Sequence, residues 1–308
     1  MDIIPFRQRF RELNRLRVIV AVLTRHGFGH LASKLRLDRF VPFRKKILRK
    51  RFARGELIAG PSAAERVARV LEELGPTFVK LGQMLAGRPD VLPADFVDEF
   101  RKLQDSVSPF PGAEARKAIH KELGSPVEEL YANFDDVAFA SGSIAQAHYA
   151  RTRDGQDVVV KVRRPDIHRV VLEDIALLGR LAELAENHVP EYRMFRPRMI
   201  VDEFARSIQR EMDFITEASH TAKFHDTFRE DPNVFTPAVR WDLTGSGGLT
   251  REQSSGVNLH DEAAWAIEGI DRSALATHII ETFMKQYFEF GLFHADPHPG
   301  NLLAQGPA

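Results

Sequence analysis

HADPHPGN, residues 294–301, is the stretch of this sequence that decides its fold. Asp296 and Asn301 lie five positions apart, the D-x-x-x-x-N spacing of phosphotransferase catalytic loops. In such loops the carboxylate orients or deprotonates the acceptor, and the amide oxygen helps to hold Mg²⁺ against the phosphates. The two prolines keep the stretch out of a helix. The spacing predicts a phosphotransfer loop with Asp296 as catalytic group and Asn301 as metal ligand.

Two other interpretations of this stretch stay open. A metal site would need His294, Asp296 and His298 to converge on one ion, and no motif upstream supplies further ligands. A plain polar turn is the second alternative, because proline, glycine and asparagine are all common in turns.

The composition is that of a globular protein. Of 308 residues, 44% are hydrophobic and 28% are charged, which excludes a disordered chain. There is no cysteine, which excludes disulfides, thiolate metal sites and cysteine nucleophiles. The length suits one large domain or two ordinary ones.

The net charge of zero hides an asymmetry along the chain. Residues 1–54 carry 16 Lys and Arg against 3 acidic residues, a net of +13, while the remainder carries 27 basic and 40 acidic residues, a net of −13. Such a basic end indicates an anionic partner, which is a membrane lipid, a nucleic acid or the acidic body of the protein itself. Nucleic acid is not expected, because the segment has no recognisable reading motif.

An amphipathic helix is predicted near the N-terminus. Its apolar positions are Leu16, Ile19, Val20, Leu23 and Leu31, and arginines occupy the other faces. Such a helix suits either a membrane interface or packing on its own domain, and both alternatives stay open. No run approaches the ~20 apolar residues that span a bilayer.

The remaining elements follow from periodicity and from turn residues. The predicted helices of the first 130 residues are about 62–74, 76–86, 93–107 and 112–124. After them come a hairpin at 137–152, a strand at 157–165, helices at 166–187 and 198–228, two strands within 233–259 and a helix at 273–290. This order is that of a protein-kinase-like N-lobe that enters its catalytic loop. The fold class is therefore α+β, with an all-helical N-terminal extension.

Within the predicted strand Lys161 ends a run of valines, as does the strand lysine that reaches the nucleotide phosphates in kinases. On the predicted helix 198–228, Glu211 falls within the apolar stripe and Glu217 lies roughly 120° away. An acid on such a stripe requires a cation. Two acids that face two directions predict two basic partners, Lys161 and Lys80, and the helical wheel does not assign them.

A short helix presents Lys80 and Gln83 on one face, and Gly82 between them allows another backbone to come close. The hairpin before Lys161 contains ASGSIAQAH, 140–148, whose small side chains permit close approach to a nucleotide. TGSGG, 244–248, is richer in glycine, but neither a helix nor a lysine follows it, so we interpret it as a hairpin turn.

Together these motifs resemble the UbiB (AarF, or ABC-one) family of kinase-like proteins, from about Leu71 to Asn301. The most specific parts are LGPTFVKLGQMLAGRPDVLP and FRKLQDSVSPFP. The resemblance assigns Lys80, Gly82 and Gln83 to the K-x-G-Q motif, Ala140, Ser141, Gly142 and Ser143 to the nucleotide loop, Lys161 to the strand lysine, Glu211 and Asp213 to the E-x-D motif, Glu217 to the helix glutamate, and Asp296 and Asn301 to the catalytic loop.

The resemblance implies a kinase-like fold whose helical extension covers the active site. It implies Mg-ATP binding, with ATP and Mg²⁺ as cofactors, and ATPase or unorthodox kinase activity that supports ubiquinone or related isoprenoid-lipid biosynthesis. It further implies a Lys161–Glu217 ion pair, Lys80 close to Glu211, and adenine contacts from residues 249–257, including Glu252 and Ser254. The resemblance implies proteins of the isoprenoid-lipid pathway as partners, and the basic segment 1–54 predicts anionic membrane lipid as another partner. The expected location is cytoplasmic, peripheral to the inner membrane.

Three departures from the family pattern stand out. Gly142 replaces the usual alanine, and LTREQSSGV, 249–257, is more polar than the usual hinge. The D-F-G aspartate expected after Asn301 does not occur before Ala308, so we expect a fragment, with membrane-spanning helices in the missing part. The expected segments are 1–54 (basic, membrane-interfacial), 55–130 (K-x-G-Q extension), 131–262 (N-lobe with inserted helices) and 263–308 (start of the C-lobe).

Two rival functions remain. The first is a small-molecule phosphotransferase of the aminoglycoside or choline kinase kind, whose loops also contain HxDxxxxN. The K-x-G-Q and E-x-D motifs argue against it, since those enzymes need no helical cap before the first strand. The second is a non-catalytic regulator that binds nucleotide, lipid or protein.

Overall fold

A computed structural model describes residues 6–34, 61–103, 107–259, 269–295 and 299–305. The helices are α1 (Phe6–Arg25), α2 (Gly29–Lys34), α3 (Ala63–Leu74), α4 (Pro76–Ala86), α5 (Ala94–Phe100), α6 (Gly112–Leu123), α7 (Val127–Leu130), α8 (Ile167–His188), α9 (Pro197–Glu211), α10 (Phe214–Phe228) and α11 (Arg272–Lys285). The strands are β1 (Tyr131–Phe134), β2 (Ala140–Ser141), β3 (Ala145–Thr152), β4 (Asp157–Arg163), β5 (Gly248–Glu252), β6 (Val257–Asn258) and β7 (Leu303–Ala304).

The chain divides into two compact units, each discontinuous in sequence. The first unit comprises residues 1–109, 141–145 and 164–212, and the second comprises 110–140, 146–163 and 213–308. The four segments expected from the sequence are continuous, because linear patterns cannot show which distant stretches pack together. That division stays a prediction.

The first unit is helical and has one apolar core. Ser62 is the N-cap of α3, and its hydroxyl accepts a hydrogen bond from the Glu65 N–H, as in a capping box. Gly75, with φ of 98°, separates α3 from α4 in a left-handed conformation that favours glycine. The core contains buried side chains from α1, α3, α4, α8 and α9, among them Ile19, Leu71, Phe78, Leu177, Phe204, Ile208 and Met212.

Helix α1 packs into this core. Leu16, Ile19 and Val20 are buried, so the apolar stripe faces the helix's own unit. Arg15 donates hydrogen bonds to both carboxylate oxygens of the buried Asp174 in α8, at 2.7 and 2.9 Å. Of the two alternatives for this helix, the structure therefore agrees with packing on its own domain for these residues. The side chain of Leu31 and the basic residues 35–60 lie outside the described part.

The second unit is built on a sheet with strand order β1-β3-β4-β5, with β2 paired to β3. Strands β4 and β5 are antiparallel, and Lys161 lies opposite Leu249. Val158, Val160 and Val162 of β4 point into the core against α6, while the side chains between them are half-buried on the other face. This period of two places Lys161 on the face away from the core.

Two predicted elements differ from the sequence prediction: one helix is shorter, and one strand does not form. Helix α5 ends at Phe100 instead of continuing to 107, because the chain turns there and Leu103 enters the core. The first of the two strands expected within 233–259 does not form: only an isolated bridge joins Val239 to Arg251. Pro237 lacks the N–H that a strand ladder requires, and β5 pairs with β4 instead.

Apart from the single helix predicted at 198–228, the other predicted elements are present close to their expected bounds. The hairpin is formed by β2 and β3, the strand by β4, and the following helix by α8. The last predicted helix is α11, which continues as a π-helical turn over Gln286–Phe290. No helix within the described ranges is long and apolar enough to cross a bilayer.

Candidate functional site

Lys161 forms an ion pair with Glu217 inside the second unit. The Lys161 ammonium donates to both oxygens of the Glu217 carboxylate, at 2.7 and 3.0 Å. Its nitrogen lies 4.8 Å from the ring centroid of the buried Phe214, a distance that allows a cation–π contact. Lys161 and Glu217 are both half-buried, so part of each side chain packs against the protein and part is accessible to a ligand from solvent. The pairing that the helical wheel could not assign is therefore Lys161 with Glu217.

The single helix predicted at 198–228 is wrong, because the chain forms two helices, α9 and α10. Asp213 is the N-cap of α10: its side chain accepts from the Ile215 N–H and from the Thr216 hydroxyl, both at 3.1 Å. Glu217 consequently lies in the first turn of α10, where the helix dipole stabilises a carboxylate.

The predicted apolar stripe does not continue across this break. Met212 is fully buried, whereas Ile215 is exposed. Glu211 is also not buried within the stripe as expected, since its side chain is 43% exposed at the end of α9. A helical wheel drawn through both helices fails because the backbone of Asp213 is extended and interrupts the helical geometry.

The K-x-G-Q residues lie in α4 of the first unit. The Lys80 ammonium is 2.7 Å from the Glu211 carboxylate, and the Gln83 amide donates to the Leu103 carbonyl at 3.1 Å. A Cβ at Gly82 would lie 2.4 Å from Leu103 Cδ1 and 2.7 Å from Leu71 Cδ1. Two core leucine side chains therefore pack where a Cβ would lie at Gly82, and the close approach of another backbone stays a prediction.

The small-residue loop turns tightly after β2. The Gly142 N–H donates to the Ala145 carbonyl at 2.8 Å, and Ser141 and Gly142 are half-buried. Ser143 is buried, and its hydroxyl has no hydrogen-bond partner among the described residues. Ala140 precedes the turn and is exposed at the start of β2.

Arg164 holds this loop, and sequence reasoning missed it. Its guanidinium donates to the Gly142 carbonyl and the Ser141 hydroxyl, both at 2.8 Å, and to the Ser108 carbonyl at 2.9 Å. Two of these three acceptors are backbone carbonyls, which leave no trace in a sequence. The available signal was an arginine near the end of the predicted strand, directly before Pro165.

The glycine-rich stretch 244–248 is a turn, as predicted. Gly245 donates to the Gly248 carbonyl at 2.8 Å. The Glu122 carboxylate of α6 accepts from the Gly247 N–H at 2.9 Å and from the Ser246 hydroxyl at 3.0 Å. The donors that a phosphate would use are therefore bound to a carboxylate of the chain.

The two residues expected beside adenine lie at the end of β5 and just after it. Glu252 exchanges backbone and side-chain hydrogen bonds with Ala238, since its N–H donates to the Ala238 carbonyl at 2.8 Å and its carboxylate accepts from the Ala238 N–H at 3.3 Å. Ser254 is half-buried. These contacts give Glu252 a backbone-holding role, and adenine contact stays a prediction for both residues.

The predicted catalytic loop is described only in part. Asp296 and His298 lie outside the described residues, so neither the phosphotransfer role nor the rival metal site is tested. The buried Gln286 accepts from the His294 N–H at 2.8 Å, and the His294 ring lies edge-on to Phe224, 6.3 Å between centroids. These contacts fix the entrance to the loop.

The described residues offer little for a metal ion. Asn301 is exposed in a short 3₁₀ turn. Within the described ranges no group of three or more His, Asp or Glu side chains could hold an ion. Mg²⁺ usually takes one or two protein carboxylates together with substrate phosphates. Asn301 by itself therefore does not make a magnesium site.

A buried polar pair fixes strand β3. The Gln146 amide donates to Nε2 of His148 at 2.9 Å, so the other ring nitrogen, Nδ1, donates to the Asp135 carbonyl at 2.7 Å. This arrangement requires a neutral ring. Burial, in turn, lowers the pKa of His148 below its ordinary value.

The arrangement of sheet, lysine and glutamate defines a class of protein. A strand lysine that pairs with a glutamate on a helix packed against an antiparallel sheet is the ion pair of protein-kinase-like N-lobes. The α+β, kinase-like fold expected from the sequence is confirmed.

The sequence model of the ABC1 atypical kinase-like domain matches residues 102–307, more than half of the chain. The chain belongs to this family. The family assignment made from the motifs is therefore confirmed.

Several relatives carry the description "Probable protein kinase UbiB". The protein of Cellvibrio japonicus is 40% identical over 242 residues, covering 79% of this chain and 44% of that protein. The protein of Serratia proteamaculans is 36% identical over 293 residues, covering 95% of this chain and 53% of that protein. The chain thus spans about half the length of the curated relatives it matches.

A solved structure is also similar. The structure of the Rv3197–erythromycin complex from Mycobacterium tuberculosis superposes with a TM-score of 0.56 at 25% sequence identity. The match covers 79% of this chain and 61% of that chain. It supports the fold assignment independently of the motifs.

Proposed function

We propose that this chain is the nucleotide-binding part of an ATP-dependent phosphotransferase or ATPase of the UbiB type. The observation that carries the proposal is the Lys161–Glu217 ion pair. The proposed biological role is support of ubiquinone or related isoprenoid-lipid biosynthesis, by analogy with the UbiB description of the relatives.

The geometry of Lys161 suits a phosphate ligand. Two of its three N–H donors are directed to Glu217, which leaves the third for a nucleotide phosphate. Glu217 and the Phe214 ring restrain the side chain, so little rotamer entropy is lost when a ligand binds. Lys161 would neutralise and orient the phosphates, and Glu217 would hold Lys161 in place.

The remaining site residues are proposed on the motifs. Asp296 would orient the acceptor and Asn301 would contribute one ligand to Mg²⁺, which arrives with ATP. Glu252 and Ser254 would contact adenine, and Ala140 to Ser143 would form the nucleotide loop. Lys80, Gln83, Glu211 and Asp213 would act in the helical extension. In this proposal the segments are 1–54, 55–130, 131–262 and 263–308.

Calorimetric titration of the purified chain with Mg-ATP tests the proposal. Wild type is expected to bind, and Lys161→Met is expected to weaken binding about tenfold to hundredfold, as the loss of a charged hydrogen bond predicts. Glu217→Gln should weaken binding less, since Lys161 remains. Lys223→Met, on the exposed face of α10, is the matched control.

Three results bear on the alternatives. Equal affinity of wild type and Lys161→Met contradicts the proposed role of Lys161. Phosphorylation of an added amino alcohol or aminoglycoside would favour a small-molecule phosphotransferase. Binding without turnover in a longer chain that includes a D-F-G segment would favour a non-catalytic regulator.

We also propose a peripheral location at the cytoplasmic face of the inner membrane, with anionic lipid and lipid-pathway proteins as partners. The +13 charge of residues 1–54 supports it. Anionic vesicles should sediment the chain at low salt and release it at high salt, because ionic strength screens such attraction. Equal sedimentation with neutral vesicles would contradict the electrostatic part.

A further inference from the structure

The connection between α8 and α9 exposes an unusual set of apolar side chains. We call residues 190–199, PEYRMFRPRM, the α8–α9 turn, which comprises a short 3₁₀ helix, Arg196 and the first three residues of α9. Its four large apolar side chains are all exposed: Tyr192 by 40%, Met194 by 78%, Phe195 by 42% and Met199 by 48%. Monomeric proteins rarely expose such contiguous apolar surface without using it for binding.

The turn is held in place rather than frayed. Val189 is buried directly before it. The Glu186 carbonyl accepts from the Arg193 guanidinium at 2.7 Å, and the Glu186 carboxylate accepts from the Arg198 N–H at 3.1 Å. Arg196 has φ of 47°, a left-handed conformation that is unusual for arginine and strained before proline. These contacts hold the turn in the conformation in which its apolar side chains are exposed.

The turn is also cationic. Arg193, Arg196 and Arg198 are exposed, and Glu191 is the one acid within the turn. Among the described residues, no carboxylate forms a salt bridge with the Arg196 or Arg198 side chain. The positive charge is consequently available to an anionic partner.

We propose that the α8–α9 turn docks the first unit on an anionic lipid surface. The amphipathic tyrosine ring, the apolar phenylalanine ring and the flexible methionines insert at the boundary between headgroups and acyl chains, and the arginines bind lipid phosphates. Residues 190–195 are exposed consecutively, which suits insertion of a tip better than capture of a peptide in a groove. The inference deepens the proposed peripheral location and rests on that part of the proposed function. It is independent of the nucleotide chemistry.

Vesicle binding by charge variants is the first test. Phosphatidylcholine vesicles with and without phosphatidylglycerol are titrated with wild type and with the double variant Arg196→Gln/Arg198→Gln. Each arginine near an anionic surface contributes about fivefold to partitioning, so the double variant should bind about 25-fold more weakly. The control Lys223→Gln/Arg229→Gln removes the same charge from exposed positions in the second unit and should bind like wild type.

Apolar insertion is tested separately. Met194→Ser should weaken binding about tenfold, as loss of a buried methionine predicts. Val137→Ser is the matched control, because Val137 is 75% exposed in the second unit and lies outside the turn. Circular dichroism and the melting temperature show whether each variant keeps its fold.

Depth of insertion gives a readout that does not depend on affinity. The chain has no cysteine, so Met194→Cys introduces a single thiol for an environment-sensitive fluorophore. With anionic vesicles its emission should shift to the blue and be quenched by brominated lipid. The same label at Val137→Cys should not respond.

Each outcome supports or overturns the inference. Wild-type binding that survives in the charge and Met194 variants, but is lost without the charges of residues 35–54, overturns the docking role of the turn and leaves the peripheral location standing. Absence of wild-type binding to any vesicle overturns both. A label at position 194 that responds to an acidic polypeptide and not to vesicles identifies a protein-docking surface instead. Mg-ATP titration of the same variants reports independently on the nucleotide site.

Discussion

Removing one member of the Arg15–Asp174 pair should destabilise the first unit by an amount that depends on which member is removed. Breaking a buried ion pair from one side costs about 3–5 kcal/mol. Asp174 is almost fully buried, whereas the Arg15 side chain is 26% exposed and also donates to the Leu74 carbonyl. Arg15→Met strands the buried carboxylate, so we expect a loss near about 5 kcal/mol. Asp174→Asn leaves a partly hydrated guanidinium, so we expect about 3 kcal/mol.

The measurement is urea unfolding followed by circular dichroism, with the free energy of unfolding extrapolated to water. The double variant Arg15→Met/Asp174→Leu should recover to within about 1 kcal/mol of wild type, because it removes both charges from the core. Arg11→Met is the matched control. Arg11 joins the same two helices through Glu173 at 3.1 Å, but its side chain is exposed, so its loss should be below about 1 kcal/mol.

One result would refute this reasoning. If Arg15→Met destabilises the protein no more than Arg11→Met, then α1 does not pack against α8 as described. The membrane-interface alternative for that helix would then regain support, since a helix lying on lipid needs no buried partner for its arginine.

Three other perturbations have defined outcomes. Gly82→Ala should lower the free energy of unfolding by about 1–3 kcal/mol, because its Cβ overlaps two core leucines. Asp213→Ala should cost about 1 kcal/mol through loss of the α10 cap, with Asp213→Asn near wild type. The free energy of unfolding should fall as pH drops below about 6.5. The pKa of His148 is lowered in the folded state, so His148 takes up a proton in the unfolded chain before it does so in the folded protein, and protonation favours unfolding. His148→Gln should flatten that dependence.

Thermal and urea unfolding decide all three. Gly82→Ser should be at least as destabilising as Gly82→Ala, so wild-type stability in both would contradict the overlap. Equal losses for Asp213→Ala and Asp213→Asn would show that the cap is not the cause. A pH dependence that His148→Gln leaves unchanged would assign the titration to other groups.

The sequence predicted the parts of the site that depend on local spacing. The run of valines that ends at Lys161 predicted a strand that the structure forms as β4, and the helix predicted from about residue 62 agrees with the N-cap of α3 at Ser62. The break at Asp213 was not predictable in the same way, since the apolar period continues through it and an aspartate can lie within a helix. Packing decides there: Met212 is buried and Ile215 is not.

Other features depend on contacts between distant stretches. Arg164 acts through carbonyls of the loop and of residue 108, and no pattern in the chain marks those acceptors. Asp174 looked like one acid among many on a helix, although it is the buried partner of Arg15. Residue type and period could not distinguish either residue from its exposed neighbours.

In the turn at 244–248, a carboxylate of the protein itself occupies the hydrogen-bond donors that could otherwise bind an anion. Since the Glu122 carboxylate already accepts from the Gly247 N–H and the Ser246 hydroxyl, an incoming phosphoryl group would meet a like charge, and these two donors would not be free to bind it. Anyone wishing to graft a new oxyanion receptor onto this scaffold should therefore begin by neutralising position 122, and leave the glycines untouched.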